Sequence, residues 1–274
     1  MKNDRLKRWM PALLMLAVAT VVVAAMTEPG QRPATSMSAV TETRPPVGKD
    51  SVKFLVLGDN IYGSERPQDF AQKFERPYKP LLDANIPFYA SLGNHDDPNQ
   101  RYYKPFGMGG QRFYTYQKRD VRFYALDSNY MDKDQQTWLD KELRESNAKW
   151  KIAYFHHPIY SSGGRHGSEM DLRAIVEPMF IKYGVNVVFS GHEHFYERLK
   201  PQKGINYFTS GGAAKLREGD IITGALTAKG FDREQSFMVV EVDGDVMRFQ
   251  AISRRGKVVD SGEVTRQVKT ETKS

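Results

Sequence analysis

The sequence predicts an α/β protein built in layers, with a largely parallel sheet and a second sheet packed on it. Three observations carry that expectation. Strand-like and helix-like segments alternate from residue 53 to about 190, only short strand-like runs follow residue 205, and metal-capable side chains stand just after four of the strands. Apolar or β-rich runs fall at KFLVLG (53–58), PFYASLG (87–93), VRFYALD (121–127), KIAYFH (151–156) and NVVFSG (186–191). Helix candidates cover 68–84, 133–147 and 171–183. Such alternation is the pattern of strand-helix-strand units in a parallel sheet. INYFTSGG, QSFMVVEVDGDVMRFQAIS and KVVDSGEV then supply the second sheet, with Asp243-Gly244 as a hairpin turn.

The chain divides into four parts. MKNDRLKR is basic, and WMPALLMLAVATVVVAAM (9–26) is an uncharged apolar run of 18 residues. That order reads as a signal peptide or an N-terminal membrane anchor over 1–26, and either use exports the remainder to an extracytoplasmic location. Residues 27–50 are rich in Pro, Thr and Ser and read as a flexible linker. The folded domain covers 51–265, and 266–274 form a polar tail.

With 274 residues, 40% of them hydrophobic, the chain can bury a substantial core. Its net charge of +7 favours anionic substrates or a membrane surface. No block of like charges marks nucleic acid as a specific ligand. The lack of cysteine excludes disulfides, thiolate metal sites and a cysteine nucleophile. Nothing in the sequence marks the oligomeric state.

The strand ends hold the chemistry. KFLVLG is followed by Asp59, PFYASLG by Asn94, His95 and Asp96, KIAYF by His156 and His157, and NVVFSG by His192, Glu193 and His194. Loops converge outside the carboxyl ends of strands in open α/β sheets, so these groups are expected at one edge. Five of the six histidines stand at these ends, and His166 follows in the next loop. Each motif alone has a plainer use: a Gly-Asp pair makes a turn, and His-His-Pro is shaped by its proline. Together, imidazole, carboxylate and amide oxygen suit Zn, Fe or Mn. Two such ions bridged by a carboxylate can clamp the attacking and leaving oxygens of an in-line displacement.

GDNIY (58–62), GNHD (93–96), HHP (156–158) and GHEH (191–194) resemble the motifs of the calcineurin-like metallophosphoesterases, in their order, and within them the purple acid phosphatase-like branch. The resemblance covers roughly 51–210. It implies a layered α/β/β/α sandwich of two mixed sheets flanked by helices. It also implies a phosphatase that hydrolyses small phosphomonoesters by attack of metal-bound hydroxide on phosphorus. Two ions are implied, Fe with Zn, Mn or Fe. By the same resemblance Asp59 bridges them, Tyr62 and His194 hold the first, and Asn94, His156 and His192 hold the second. His95 and His166 contact phosphate or the leaving group, with Arg165 a competitor for the latter place. His157 is assigned a structural role. Arg198, Lys215 and Arg217 read as a solvated surface, with positive charge near the mouth of the site as the alternative.

One family element is missing. The family carries an earlier strand ending in Gly-Asp, then a helix and a strand, before GDN. Here the linker runs straight into KFLVLGDNIYG, without the dozen residues a crossover needs. The expected sheet therefore lacks one strand-helix unit and the first ion one carboxylate, unless Asp97 or Asp127 replaces it. The alternative function is a catalytically impaired metal- or phosphate-binding module that retains one ion.

Overall fold

In a computed structural model the described residues are 21–26 and 52–266, the former as backbone alone. Residues 1–20, the whole linker and the last eight residues lie outside them, and with them most of the expected leader. Among the described residues no helix is long and apolar enough to cross a membrane.

Thirteen strands among these residues form two sheets. Those of the first half are β1 (Val21–Met26), β2 (Lys53–Leu57), β3 (Phe88–Ser91), β4 (Tyr114–Lys118), β5 (Val121–Ala125), β6 (Trp150–Phe155) and β7 (Val187–Ser190). There follow β8 (Tyr196–Leu199), β9 (Asn206–Ser210), β10 (Thr227–Phe231), β11 (Ser236–Asp243), β12 (Val246–Ser253) and β13 (Val258–Thr265). One sheet has the order β13-β12-β11-β1-β2-β3, the other β10-β8-β9-β7-β6-β5-β4. The helices are α1 (Pro67–Phe70), continuing through a π turn into α2 (Arg76–Asp83), then α3 (Lys133–Arg144) and α4 (Met170–Tyr183). Asp132 caps α3, its carboxylate accepting from Gln135 N–H at 2.9 Å, and Gly184 ends α4 at φ 70°.

The alternation of strand side chains sorts the core into layers. Leu55 and Leu57 face the space between the sheets with Phe123, Ile152, Phe189, Met238, Val240 and Phe249. Phe54 and Val56 point the other way, under Phe74, Tyr78 and Leu81 of the first helical segment. Ala153, Phe155 and Val188 pack beneath Leu139 and Leu143 of α3 and Val176 and Phe180 of α4. Helix, sheet, sheet, helix is the layered sandwich expected.

Two assignments differ from the expectation. The parallel strands do not share one sheet: β2 and β3 lie in the sheet of the late hairpin strands, while β9 joins β5, β6 and β7. Strand periodicity reports which face is buried and says nothing of which sheet a strand enters. In addition, the place beside β2 is filled. Val21–Met26, the end of the apolar run assigned to the leader, lies between β2 and β11. It runs antiparallel to β2, Val23 opposite Phe54, and parallel to β11, Val23 opposite Val239.

Candidate metal centre

The site begins with backbone that only particular residues accept. Gly58 has φ 82°, and a Cβ there would lie 2.5 Å from His156 Nδ1. Asp59 and His192 follow their strands with φ 53° and 65°, in the left-handed region that non-glycine residues avoid. Strain of this kind gathers where a side chain must be aimed. Asp96 fixes the turn: its two oxygens accept from Gly93 N–H at 2.8 Å and Ile61 N–H at 3.2 Å, tying the Asn94 loop to the Asp59 loop. Burial, above all, raises its carboxyl to about 7.

Four of the expected residues meet around His156. Its Nδ1–H donates to Leu57 O at 2.8 Å. The neutral ring then presents a bare Nε2, which faces Asn94 Oδ1 at 3.0 Å, Asp59 Oδ1 at 3.3 Å and His192 Nδ1 at 3.1 Å. His192 Nδ1 also lies 3.1 Å from Asn94 Oδ1. One hydrogen on that nitrogen can serve only one of these contacts, so the remaining lone pairs face each other. A cation at their meeting point satisfies all of them, and the carbonyl contact on Nδ1 orients His156 as metal-bound histidines are oriented.

A second group lies on the other side of the same carboxylate. Tyr62 OH donates to Asp59 Oδ2 at 2.6 Å and stands 3.3 Å from His194 Nε2. Asp59 thus divides its two oxygens between the groups, and the residues fit two ions sharing a carboxylate. Bound ions would supply Lewis acidity and an activated water.

The charge states agree with that use. Burial would raise the Asp59 carboxyl, but His156, the Tyr62 hydroxyl and the His95 N–H outweigh it and hold it below the usual value. Burial lowers His156, takes His192 to about 2 with help from its neighbouring imidazoles, and takes His194 to about 4. The imidazoles are therefore neutral, the form that ligates metal. Burial and Asp59 raise the Tyr62 phenol, so without a metal it stays protonated.

The two expected phosphate contacts border the centre. His95 is exposed, its ring centroid 5.1 Å from that of Tyr62, and its N–H donates to Asp59 Oδ1 at 3.2 Å. The exposed His166 ring lies 4.3 Å from His192. Its loop is pinned by two buried carboxylates: Glu193 Oε1 accepts from Gly167 N–H at 2.9 Å and Glu197 Oε2 from Ser162 N–H at 3.0 Å. Burial, then Arg217 and Arg165, lowers His166.

Sequence reasoning missed or misplaced several neighbours. Ser128 holds His157 by its N–H (3.0 Å) and Nδ1 (2.9 Å), which suits a structural role. Yet ligand atoms of His156, His157 and His192 all lie within 4.8 Å of one another, so His157 is also within reach of an ion. Arg198 is bound to Asp260 at 2.8 Å, whereas Lys215 Nζ sits 3.4 Å from the Tyr62 ring centroid. Neither candidate replacement carboxylate reaches the centre: Asp97 caps the turn after it, and Asp127 takes Arg112 at 3.0 Å.

The calcineurin-like phosphoesterase family model matches residues 39–196, more than half of the chain. Purple acid phosphatase 1 of Ipomoea batatas is 28% identical over 180 residues, covering 56% of this chain and 38% of its own. The Fe(3+)-Zn(2+) purple acid phosphatase 12 of Arabidopsis thaliana is 44% identical over 77 residues, 27% of this chain and 16% of its own. The chain therefore spans well under half the length of these relatives. The purple acid phosphatase PPD1 from yellow lupin (Lupinus luteus) seeds shares the fold, with a TM-score of 0.61 at 18% identity over 92% of this chain and 54% of that one. Motifs, layered fold and family match agree, and the chain belongs to the calcineurin-like phosphoesterase family, in its purple acid phosphatase-like branch.

Proposed function

We propose that the chain is an exported, metal-dependent phosphoesterase acting on phosphomonoesters. The observation that carries this reading is the division of Asp59, one oxygen facing His156 Nε2, where Asn94 and His192 also meet, and the other bonded to Tyr62. The first group would hold one ion through Asp59, Asn94, His156 and His192, and the second through Asp59, Tyr62 and His194. Fe paired with Zn, Mn or Fe fits these nitrogen, phenol and carboxylate donors. His166, kept neutral beside Arg217, orients a phosphate oxygen by donating a hydrogen bond. His95, exposed beside the centre, delivers the proton that the alcohol leaving group needs. Purified protein supplied with Mn, Zn or Fe should release nitrophenol from p-nitrophenyl phosphate. A folded, metal-loaded sample that releases none contradicts the proposal.

A second reading has one observation in its favour. Among the described residues the Tyr62 and His194 group has Asp59 as its carboxylate and no other contact to one. A chain that kept only the His156 group would bind a metal or phosphate without turnover, and elemental analysis would then give about one ion per chain instead of about two. Export is supported by the basic head and apolar run. N-terminal sequencing of exported material would show whether Val21–Met26 stays with the domain.

A further inference from the structure

We propose that Lys215 and Arg217 form an anion subsite beside the histidine centre, favouring substrates that carry a second anionic group next to the scissile phosphate, as a diphosphate does. The inference rests on the phosphoesterase reading and adds a substrate class to it.

Both cations belong to the loop that leaves β9 at Ser210. That loop is held against the GHEH segment: Gly211 N–H donates to Phe195 O at 3.0 Å, and Arg217 N–H to His194 O at 3.1 Å. At Gly211 a Cβ would fall 1.9 Å from Glu193 O, so only glycine lets the loop approach this closely. Its side chains are thereby set at the centre. The exposed Lys215 places its ammonium over the ring of Tyr62. Arg217 Nη1 is shielded from solvent and has no hydrogen-bond partner. The nearby carboxylate oxygen, Glu193 Oε2, is 3.8 Å away and equally unpartnered. That is a loose ion pair, enough to hold the guanidinium and too long to use its N–H groups. Its backbone bond to His194 and its approach to Glu193 hold Arg217 beside the site, and its charge acts on His166 and His194.

One phosphoryl group has few peripheral oxygens, and the two ligand groups with His95 and His166 already meet them. Two further cations with open donors exceed what a lone phosphate can use. A guanidinium is the better of the two for a phosphate, since its fork is planar and it is partly desolvated. Lys215, in solvent, is worth less.

The test compares pyrophosphate with orthophosphate binding to the metal-loaded full chain by calorimetry, in wild type, Lys215→Gln and Arg217→Gln. Wild type should bind pyrophosphate at least about tenfold tighter than orthophosphate. That ratio should fall about tenfold in Arg217→Gln and about threefold in Lys215→Gln. Equal ratios in all three proteins overturn the subsite, because the preference then belongs to the ions. Should Arg217→Gln fail to fold with Glu193 left unpaired, the exposed Lys215→Gln decides alone. Failure of the parent reading looks different: wild type would not hydrolyse p-nitrophenyl phosphate, while the calorimetric ratios would still judge the subsite.

Discussion

The two donor groups that share Asp59 are unequal. The His156 group draws one residue from the end of each of β2, β3, β6 and β7, and its lone pairs converge within 3.0 to 3.3 Å. The Tyr62 group comes from loops, is partly open to solvent, and has Lys215 on its ring and Arg217 nearby. One side is rich in electron pairs, and the other is short of negative charge. The difference traces to the strand beside β2. Because β1 is antiparallel to β2, its amino end, Val21 opposite Val56, lies toward the edge where Asp59 stands. A parallel strand would have brought its carboxyl end, and any acid after it, to that edge. VVVAAM contains no acid. Among the described residues the sheet position is occupied and no acid stands beside it to complete the first ion's ligands, so packing and chemistry have been separated at one strand.

The largest expected effect falls on the residue both groups share. Asp59→Asn should lower p-nitrophenyl phosphate hydrolysis by at least about 10²-fold and reduce metal content on both sides. A variant that keeps full metal content would show that Asp59 bridges nothing. The comparison sharpens with single-sided changes. His192→Ala should weaken the tighter-bound ion about 10 to 100-fold in competition with a chelator, whereas Tyr62→Phe should spare that ion and abolish visible absorption in an iron-loaded sample. If Tyr62→Phe releases all the metal, the groups are not independent.

The strand itself can be broken. Val23→Pro removes a backbone donor from the interior of a central strand and should cost about 1 to 3 kcal/mol in urea unfolding. An unchanged midpoint would mean that β1 contributes nothing to the sheet.

The smallest effect is electrostatic. In the metal-free folded protein burial, above all, pushes His157 down to about 3 and His192 down to about 2, against 6.5 in the unfolded chain. Their folded values are depressed, so the unfolded state takes up protons first as the pH falls. The stability they share is complete above pH 6.5 and declines below it. Metal-free protein should lose on the order of 1 kcal/mol per histidine between pH 6.5 and 5.5, and His157→Asn should flatten that slope. A metal-free melting temperature that does not change over this range would contradict the buried, neutral histidines.

The sequence shows where chemistry stands along the chain more clearly than where it lies in the sheets. Asp59, Asn94, His156 and His192 are visible as polar residues ending apolar strands, and the fold brings them within contact of one another. The hairpin at Asp243-Gly244 and the helices at 133–144 and 170–183 are equally plain. Tyr114–Lys118, Tyr196–Leu199 and Thr227–Phe231 are not, because YERL and TAKGF lack a clean apolar alternation, YTYQK alternates only through its two tyrosines, and all three lie at or near a sheet edge. Lys215 and Arg217 look like solvated loop charges until the glycine contacts at 211 place them against His194. The apolar stretch Val21–Met26 suits the end of a leader and a central strand alike, since continuous hydrophobicity has no period to separate them.

The central claim is that Asp59, Asn94, His156 and His192 surround one cation. Crystals grown with Mn or Zn and measured at the metal absorption edge test it most directly. The expected result is an anomalous peak within bonding distance of Asn94 Oδ1, His156 Nε2, His192 Nδ1 and an Asp59 oxygen. No peak there, or a peak held by His157 in place of Asn94 and Asp59, would contradict it.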